Sequence, residues 1–319
     1  MRDARNYKKS AYAESTKKTY RSQLKSYFKF CVEFARYPIP VDQSTLLAYV
    51  AHLAGRISPS SIPGYLNVVR LLHMEAGLDN PLDQNWELLL LKRGINRQKG
   101  KPPVQKLPLT LDILRKIYPL INPRLPSDAA FWVALLVGFY GFLRKSTLLP
   151  ASAKPADGKY ISRADLIGLS LETFSILIRY SKVIQFGQRV LTLPFSRVSD
   201  PVLCPIRAML VHLGLSPLQP SSPLFNFVGE ASREVSLHHA VFVSRLKLLL
   251  SRAGVDPTLY SAHSLRRGGA TFAFAAGLSP LQIKQRGDWS SSSFERYICI
   301  TPGESESASR ALAMAVSRE

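Results

Sequence analysis

Apolar residues return every three or four positions over 15–36, where Tyr20, Leu24, Tyr27, Phe28, Cys31 and Phe34 form one stripe. That is the period of an amphipathic helix, and Ser15 stands where an N-cap is expected. Three shorter periodic stretches follow: near 43–54 after Asp42, near 60–76 with Gly77 as the stop, and near 84–95 after Asp83. Four such helices suit a small bundle. Thr110 is placed to cap a further helix. The stretch 128–143 is apolar on every side, which predicts a helix buried all round. Around 165–195 the period shortens to two. "TFSILIRYSKVIQFGQRVLTLPF" alternates on both sides of a Gly-containing turn, the pattern of a β-hairpin, with a third strand near 164–170. From "CPIRAMLVHLG" onward the pattern is helical to the end. Ser261 is placed to cap a helix containing His263 and Arg266, ended by Gly277. Ser279 is placed to cap another, with Pro280 at its first position and Gly287 as its stop. The tail at 305–319 reads as a short terminal helix. The fold class predicted is mainly α with a small antiparallel β-sheet.

The longest apolar run, at 129–143, has 15 residues, whereas a membrane span needs about 20. No membrane partner is expected. The amino-terminal residues contain no apolar core of a secretory signal. Cys31, Cys204 and Cys299 lie far apart, in no CxxC or metal-like spacing, and read as reduced thiols of a cytosolic or nuclear protein.

Charge adds a partner. Lys and Arg number 42 against 22 Asp and Glu, a formal net charge of +20. Net charge speaks to partners rather than to fold, and nucleic acid is the first polyanion to consider. Residues 1–30 hold nine Lys or Arg and two acids. Such a face is either merely solvated or in contact with phosphate. Residues 92–106 hold six basic residues and no acid, with Gly100, Pro102 and Pro103 among them, the composition of a linker. The division expected is a helical domain at 1–97, a basic linker at 98–107 and a second domain at 108–319. Candidate DNA contacts are Lys17, Lys18, Arg21, Lys25, Arg70, Lys92, Arg93, Arg97, Lys99, Lys101 and Arg267.

The chemistry concentrates in "SAHSLRRGGAT" at 261–271 and "GDWSSSSFERYI" at 287–298. His263 and Arg266 are three apart on one predicted helix, so both can address one ligand. Gly268 and Gly269 remove bulk and allow a close approach. The paired histidines at 238–239 point in different directions on a helix and read as structural.

These residues resemble the tyrosine recombinases, the phage-integrase-type site-specific recombinases. Their carboxy-terminal pattern is His-x-x-Arg, then Gly followed by His or Trp, then a nucleophilic Tyr about nine residues later. His263–Arg266, Gly287-Asp288-Trp289 and Tyr297 follow that order. The family's upstream Arg at the end of an apolar helix matches Arg144 in "GFLRKSTL", and its lysine on a β-hairpin matches Lys182. The wording is most like recombinases of eukaryotic mobile elements of the DIRS and Crypton kinds. Two positions depart. Thr147 stands where the family often has an acid, and Trp289 is eight residues before Tyr297, Asp288 nine.

The resemblance implies a helical core-binding domain followed by an α+β catalytic domain. It implies double-stranded DNA as substrate and a 3′-phosphotyrosyl intermediate. It also implies four protomers on two duplexes, with the tail docking between protomers. The implied location is nuclear for a eukaryotic mobile element, otherwise cytoplasmic. Arg144, Lys182, His263, Arg266, Trp289 and Tyr297 are the implied catalytic residues. The chemistry suits them. A tyrosine of pKa ~10 spends about 4 kcal/mol to become phenolate at pH 7, so it needs help. Two guanidinium forks can neutralise the phosphate, which leaves no requirement for metal, ATP or another cofactor. The sequence has no P-loop or carboxylate cluster. A DNA-binding protein that does not cut, with 273–287 as a helix-turn-helix, and a type IB topoisomerase are the rival readings.

Overall fold

Tyr27, Phe30 and Cys31 anchor the first helix, α1 (Glu14–Glu33). With α2 (Gln43–Ala54), α3 (Ile62–Glu75) and α4 (Trp86–Lys99) it forms a helical unit. Their core gathers Leu46, Tyr49, Val50, Leu53, Leu66 and Val69 around those three residues. The computed structural model describes residues 3, 7, 8, 10–102, 105–154, 159–299 and 310. It divides the chain into two units, Met1–Val104 and Gln105–Glu319, a division that falls within the stretch read as a linker.

Several expectations shift by a residue or a turn. Helix α1 starts at Glu14 behind Ala13, which offers no side-chain cap, so Ser15 lies inside the helix. Phe30 takes the inner face, while Phe28 and Phe34 are 38% and 48% exposed. The apolar stripe is rotated from the one read off the sequence. Asp42 caps α2 as expected, its Oδ1 accepting from the Thr45 amide at 2.7 Å. Helix α4 is capped by Asn85, which accepts from the Leu88 amide at 2.9 Å, in place of Asp83. It runs on to Lys99, so residues 98 and 99 are helix rather than linker. Lys99 Nζ donates to the Ala54 carbonyl at 3.1 Å, a cation on the last residue of α2, where the helix dipole favours it.

The second unit is built around α6 (Pro126–Tyr140), whose residues are buried from Asp128 to Phe139. A helix apolar all round can be stable only at the centre of a domain. Ahead of it lies α5 (Leu111–Ile117), capped by Thr110, whose Oγ1 accepts from the Ile113 amide at 3.3 Å. Behind it a turn leads to α7 (Lys145–Leu148). Then come three antiparallel strands in sequential order, β1 (Leu166–Ile167), β2 (Thr173–Ile178) and β3 (Leu191–Ser196). Phe174, Ile176 and Ile178 alternate inward on β2, and Phe174 stacks on Phe195 of β3 at 4.8 Å. Strands β2 and β3 form the expected hairpin, but β2 ends before Lys182, so residues 179–190 form a long loop between them.

After α8 (Pro205–Leu215), a two-stranded pair, β4 (Phe227–Val228) and β5 (Glu234–Val235), interrupts a region expected to be helical throughout. Helices α9 (His239–Arg252), α10 (His263–Ala275) and α11 (Pro280–Arg286) follow, then a 3-10 helix at Ser292–Tyr297. Ser279 and Gln282 form a reciprocal capping box at the start of α11. Gly268 and Gly269 bring α10 against the protein's own backbone. A Cβ on either would overlap the carbonyl of Leu109 or of Phe139, so the close approach is core packing rather than ligand. Among the described residues no helix is long and apolar enough to cross a membrane. The expected tail helix at 305–319 lies outside the described residues, Arg310 apart.

Candidate active site

Among the described residues of the second unit, Arg266 is the most deeply placed cation, 1% exposed. One guanidinium nitrogen donates to the Phe142 carbonyl at the turn after α6. The guanidinium carbon lies 3.6 Å over the Trp289 ring and 5.2 Å from the centre of the Tyr297 ring. The two rings are themselves 5.3 Å apart. Arg266 Nε and Nη2 and Trp289 Nε1 are buried N–H donors with no well-aligned acceptor. Buried donors are almost always satisfied; the Tyr297 phenol is an acceptor within reach of the Arg266 guanidinium, and the donors it does not take on Arg266 and Trp289 mark a place for an acceptor from outside.

Burial and the nearby Arg144 cation push the Arg266 guanidinium below the ordinary arginine value, and the Tyr297 phenol and Asp288 carboxylate pull the other way. Arg144 sits at the start of α7, half-buried, where the turn after α6 ends. Its guanidinium has no hydrogen bond or salt bridge among the described residues. Thr147, buried one turn on, offers it no charge. His263 opens α10 and is exposed, its amide donating to Ser261 Oγ at 3.2 Å. Partial desolvation, then the charges of Arg266, Lys145 and Arg144, hold its imidazole below the usual histidine value. At neutral pH it is therefore free to accept a proton.

Tyr297 closes the 3-10 helix and is half-buried. Thr271 Oγ1 on α10 donates to its carbonyl at 3.2 Å and accepts from the Cys299 amide at 3.0 Å. Arg267 donates to Cys299 Sγ at 2.7 Å and to Gln105 Oε1. Two of the Arg267 donors thus hold Gln105 and the chain after Tyr297.

The turn at 287–289 separates two roles that the sequence left tangled. A Cβ on Gly287 would overlap the Trp289 ring, so glycine is what lets that ring lie back over Arg266. Asp288 has a left-handed φ of +54° and faces away, toward the 179–190 loop. Its carboxylate accepts from Ser181 Oγ at 2.6 Å and from the Arg189 guanidinium. The aromatic position thus belongs to Trp289. Lys182 stands on that loop, exposed, rather than on a strand. Its ammonium has no hydrogen bond or salt bridge among the described residues.

Of the other basic candidates, Lys17 pairs with Glu14 at 2.6 Å, and Arg70 donates to Asn67 Oδ1 from Nε and Nη2 at 3.2 and 2.9 Å. Lys18, Arg21, Lys25, Arg93, Arg97 and Lys101 are exposed, and Lys92 is half-exposed. The pair α10–α11 has the helix-turn-helix order; its second helix packs one face on the unit and leaves Leu281, Gln282 and Gln285 exposed. Ile283 is buried, and Arg286 donates to the Tyr140 and Pro194 carbonyls at 2.6 and 2.9 Å. His239 Nε2 lies 3.0 Å from the Leu149 carbonyl. Among the described residues no group of three or more His, Cys, Asp or Glu could hold a metal ion. Ser181, Arg189 and Thr271 were not anticipated, and no local pattern marks them.

No protein-family model matches the chain. The chain is 23% identical over 280 residues to an integrase/recombinase xerD homolog of Selenomonas ruminantium, covering 86% of this chain and 78% of that protein. It is similar in structure to the Tn1549 transposon integrase in complex with transposon right end DNA, with a TM-score of 0.63 at 13% identity over 98% of each chain. It is also similar to the XerH site-specific recombinase bound to a palindromic difH substrate, with a TM-score of 0.56 at 15% identity over 87% of this chain and 72% of that one. The fold is that of the integrases and recombinases. Its sequence similarity to the xerD homolog and its own motif order point the same way as the fold.

Proposed function

We propose that this protein is a site-specific DNA recombinase that cuts and rejoins strands through a 3′-phosphotyrosyl link. The observation that carries the reading is the set of unsatisfied donors on Arg266 and Trp289 beside the Tyr297 phenol. A phosphodiester supplies the acceptors those donors lack, and charge growing on its non-bridging oxygens strengthens each bond in the transition state. In the proposed step Tyr297 Oη bonds to phosphorus and the phenol proton passes to the neutral His263 imidazole. The P–O5′ bond breaks, and the departing 5′-oxygen takes a proton from the Lys182 ammonium. Arg144 and Arg266 neutralise the phosphate, so the step needs no metal or nucleotide. The bond energy stays in the phosphotyrosyl link, and a 5′-hydroxyl attacking it reverses the sequence.

The same proposal extends to double-stranded DNA held partly by the exposed cations of α1 and α4. It also takes in four protomers on two duplexes, the 305–319 tail docking on a neighbour, and a nuclear site of action in a eukaryotic mobile element. A duplex nicked just beyond the scissile phosphate, so that the cut end diffuses away, should trap covalent protein–DNA in buffer containing a chelator. Tyr297→Phe should trap none while still binding. A wild-type chain that binds DNA and never forms the adduct would make it a DNA-binding protein alone. Relaxation of supercoiled DNA without strand exchange would make it a topoisomerase.

A further inference from the structure

An exposed lysine on a long loop is a poor proton donor unless the loop is held still, because about 1 Å of misplacement can cost 10²-fold in rate. The 179–190 loop is held by one buried carboxylate. The Asp288 side chain is 7% exposed, and its two oxygens accept from opposite feet of the loop, Ser181 at the start and Arg189 at the end. Ser181 Oγ, having given its proton to Asp288, accepts from the amides of Val183 and Ile184, each at 3.0 Å. Those amides follow Lys182 and Ser181 precedes it, so the turn bearing Lys182 closes on that hydroxyl. Gln185 Nε2 donates to the Lys182 carbonyl at 2.6 Å and completes the turn. The peptide after Asp288 carries Trp289, whose ring lies on Arg266.

We propose that Asp288 is a positioning residue, which registers Lys182 against the Arg266–Trp289–Tyr297 group through Ser181 and so sets the proton donor for the leaving 5′-oxygen. The proposal rests on the recombinase reading above. A turn needs no such residue. Burying a carboxylate is costly unless it is paired, a non-glycine residue at positive φ adds strain, and glycine would serve the backbone at no cost. Here the partners that offset the burial both belong to the lysine loop, and neither belongs to the segment that carries the carboxylate.

The experiment uses the intact chain and two nicked duplexes, one ordinary and one with sulfur in place of the bridging 5′-oxygen at the scissile phosphate. From the second, P–S breaks and a thiolate leaves without needing a proton. Lys182→Ala should slow cleavage of ordinary DNA by about 10²–10⁴-fold and recover on the sulfur substrate. Asp288→Gly keeps the left-handed turn and removes the carboxylate, and Ser181→Ala removes the relay from the loop side alone. Both are expected to slow ordinary cleavage by about 10–10²-fold and to recover on sulfur to near the wild-type rate. Slowing of equal size on both substrates would show Asp288 acting on Trp289 or the fold, and overturns the proposal. So does an unchanged rate on ordinary DNA. If Lys182→Ala itself fails to recover on sulfur, the lysine is not the acid and the proposal falls with it. A wild-type chain that traps on neither substrate removes the recombinase reading first, a result distinct from all of these.

Discussion

Residues 263–299 and residues 179–190 reach the same turn, at Asp288, under opposite conditions. The first stretch is packed. Arg266 is sandwiched between a carbonyl and an indole, Tyr297 is tied to α10 through Thr271, and two glycines press α10 onto the backbone beneath it. The second stands in solvent, with Phe186 85% exposed at its far end and Lys182 reaching outward. On the reading proposed above, the groups that meet the phosphate are built into the core, whereas the proton donor rides on a loop in solvent that Asp288 holds at both feet. A phosphate site gains from rigidity because its donors must be set before charge develops.

The packed side should yield the largest effect and a paradoxical one. Arg266→Met keeps the bulk and removes a cation whose burial is only partly compensated. Cleavage should fall by about 10³-fold or more, while the melting temperature holds or rises, since replacing a buried charge by an apolar residue is often neutral or stabilising by about 1–4 kcal/mol. A clear drop in melting temperature would mean that the guanidinium is structural and the comparison misplaced. Lys182→Ala is the counterpart, with a loss of about 10²–10⁴-fold in cleavage and no change in thermal unfolding, because the side chain is exposed. Gly268→Ala inverts that pair. It drives a methyl into the Leu109 carbonyl and should cost about 1–3 kcal/mol, read by urea titration.

The smallest effect is in pH. The His263 imidazole is held below the ordinary value of 6.5 and must be neutral to take the phenol proton. Cleavage under subsaturating DNA should therefore stay level as pH falls to 6.5 and decline only below it. Substituting Arg144 by Ala removes one of the positive charges that hold the imidazole down, so the decline should begin at higher pH. An unmoved acid limb would assign it to another group.

Local chemistry made much of this legible. Thr110, Asp42 and Ser279 act within a few residues of themselves, and their capping bonds stand where the sequence places them. The order of Arg144, His263, Arg266, Trp289 and Tyr297 pointed to one site through its resemblance to the recombinase pattern, which none of them carries singly. What escaped depends on distance or on angle. Whether Phe28 or Phe30 turns inward is a matter of about 160° around a helix, which a stripe of six aromatics and aliphatics does not fix. Ser181 and Asp288 are 107 positions apart, and nothing around either announces the other. Lys99 looked like linker because Gly and Pro follow it, yet its bond to Ala54 carries α4 a turn further. Asp288 and Trp289 stand side by side in the count back from Tyr297. Only the direction of Asp288, set by a positive φ, separates it from Trp289.

Thr271 holds the chain at and just after Tyr297 with a single hydroxyl, through the Tyr297 carbonyl and the Cys299 amide, and both bonds are made within one chain. On the recombinase reading proposed above, each chain would then bring its own nucleophile to the arginine beside it. In a mixture of chains lacking the phenol with chains lacking the guanidinium, no combination assembles a working centre, and the blend should remain as inert as its parts. An assembly holding one intact copy should cut at that copy's position and nowhere else.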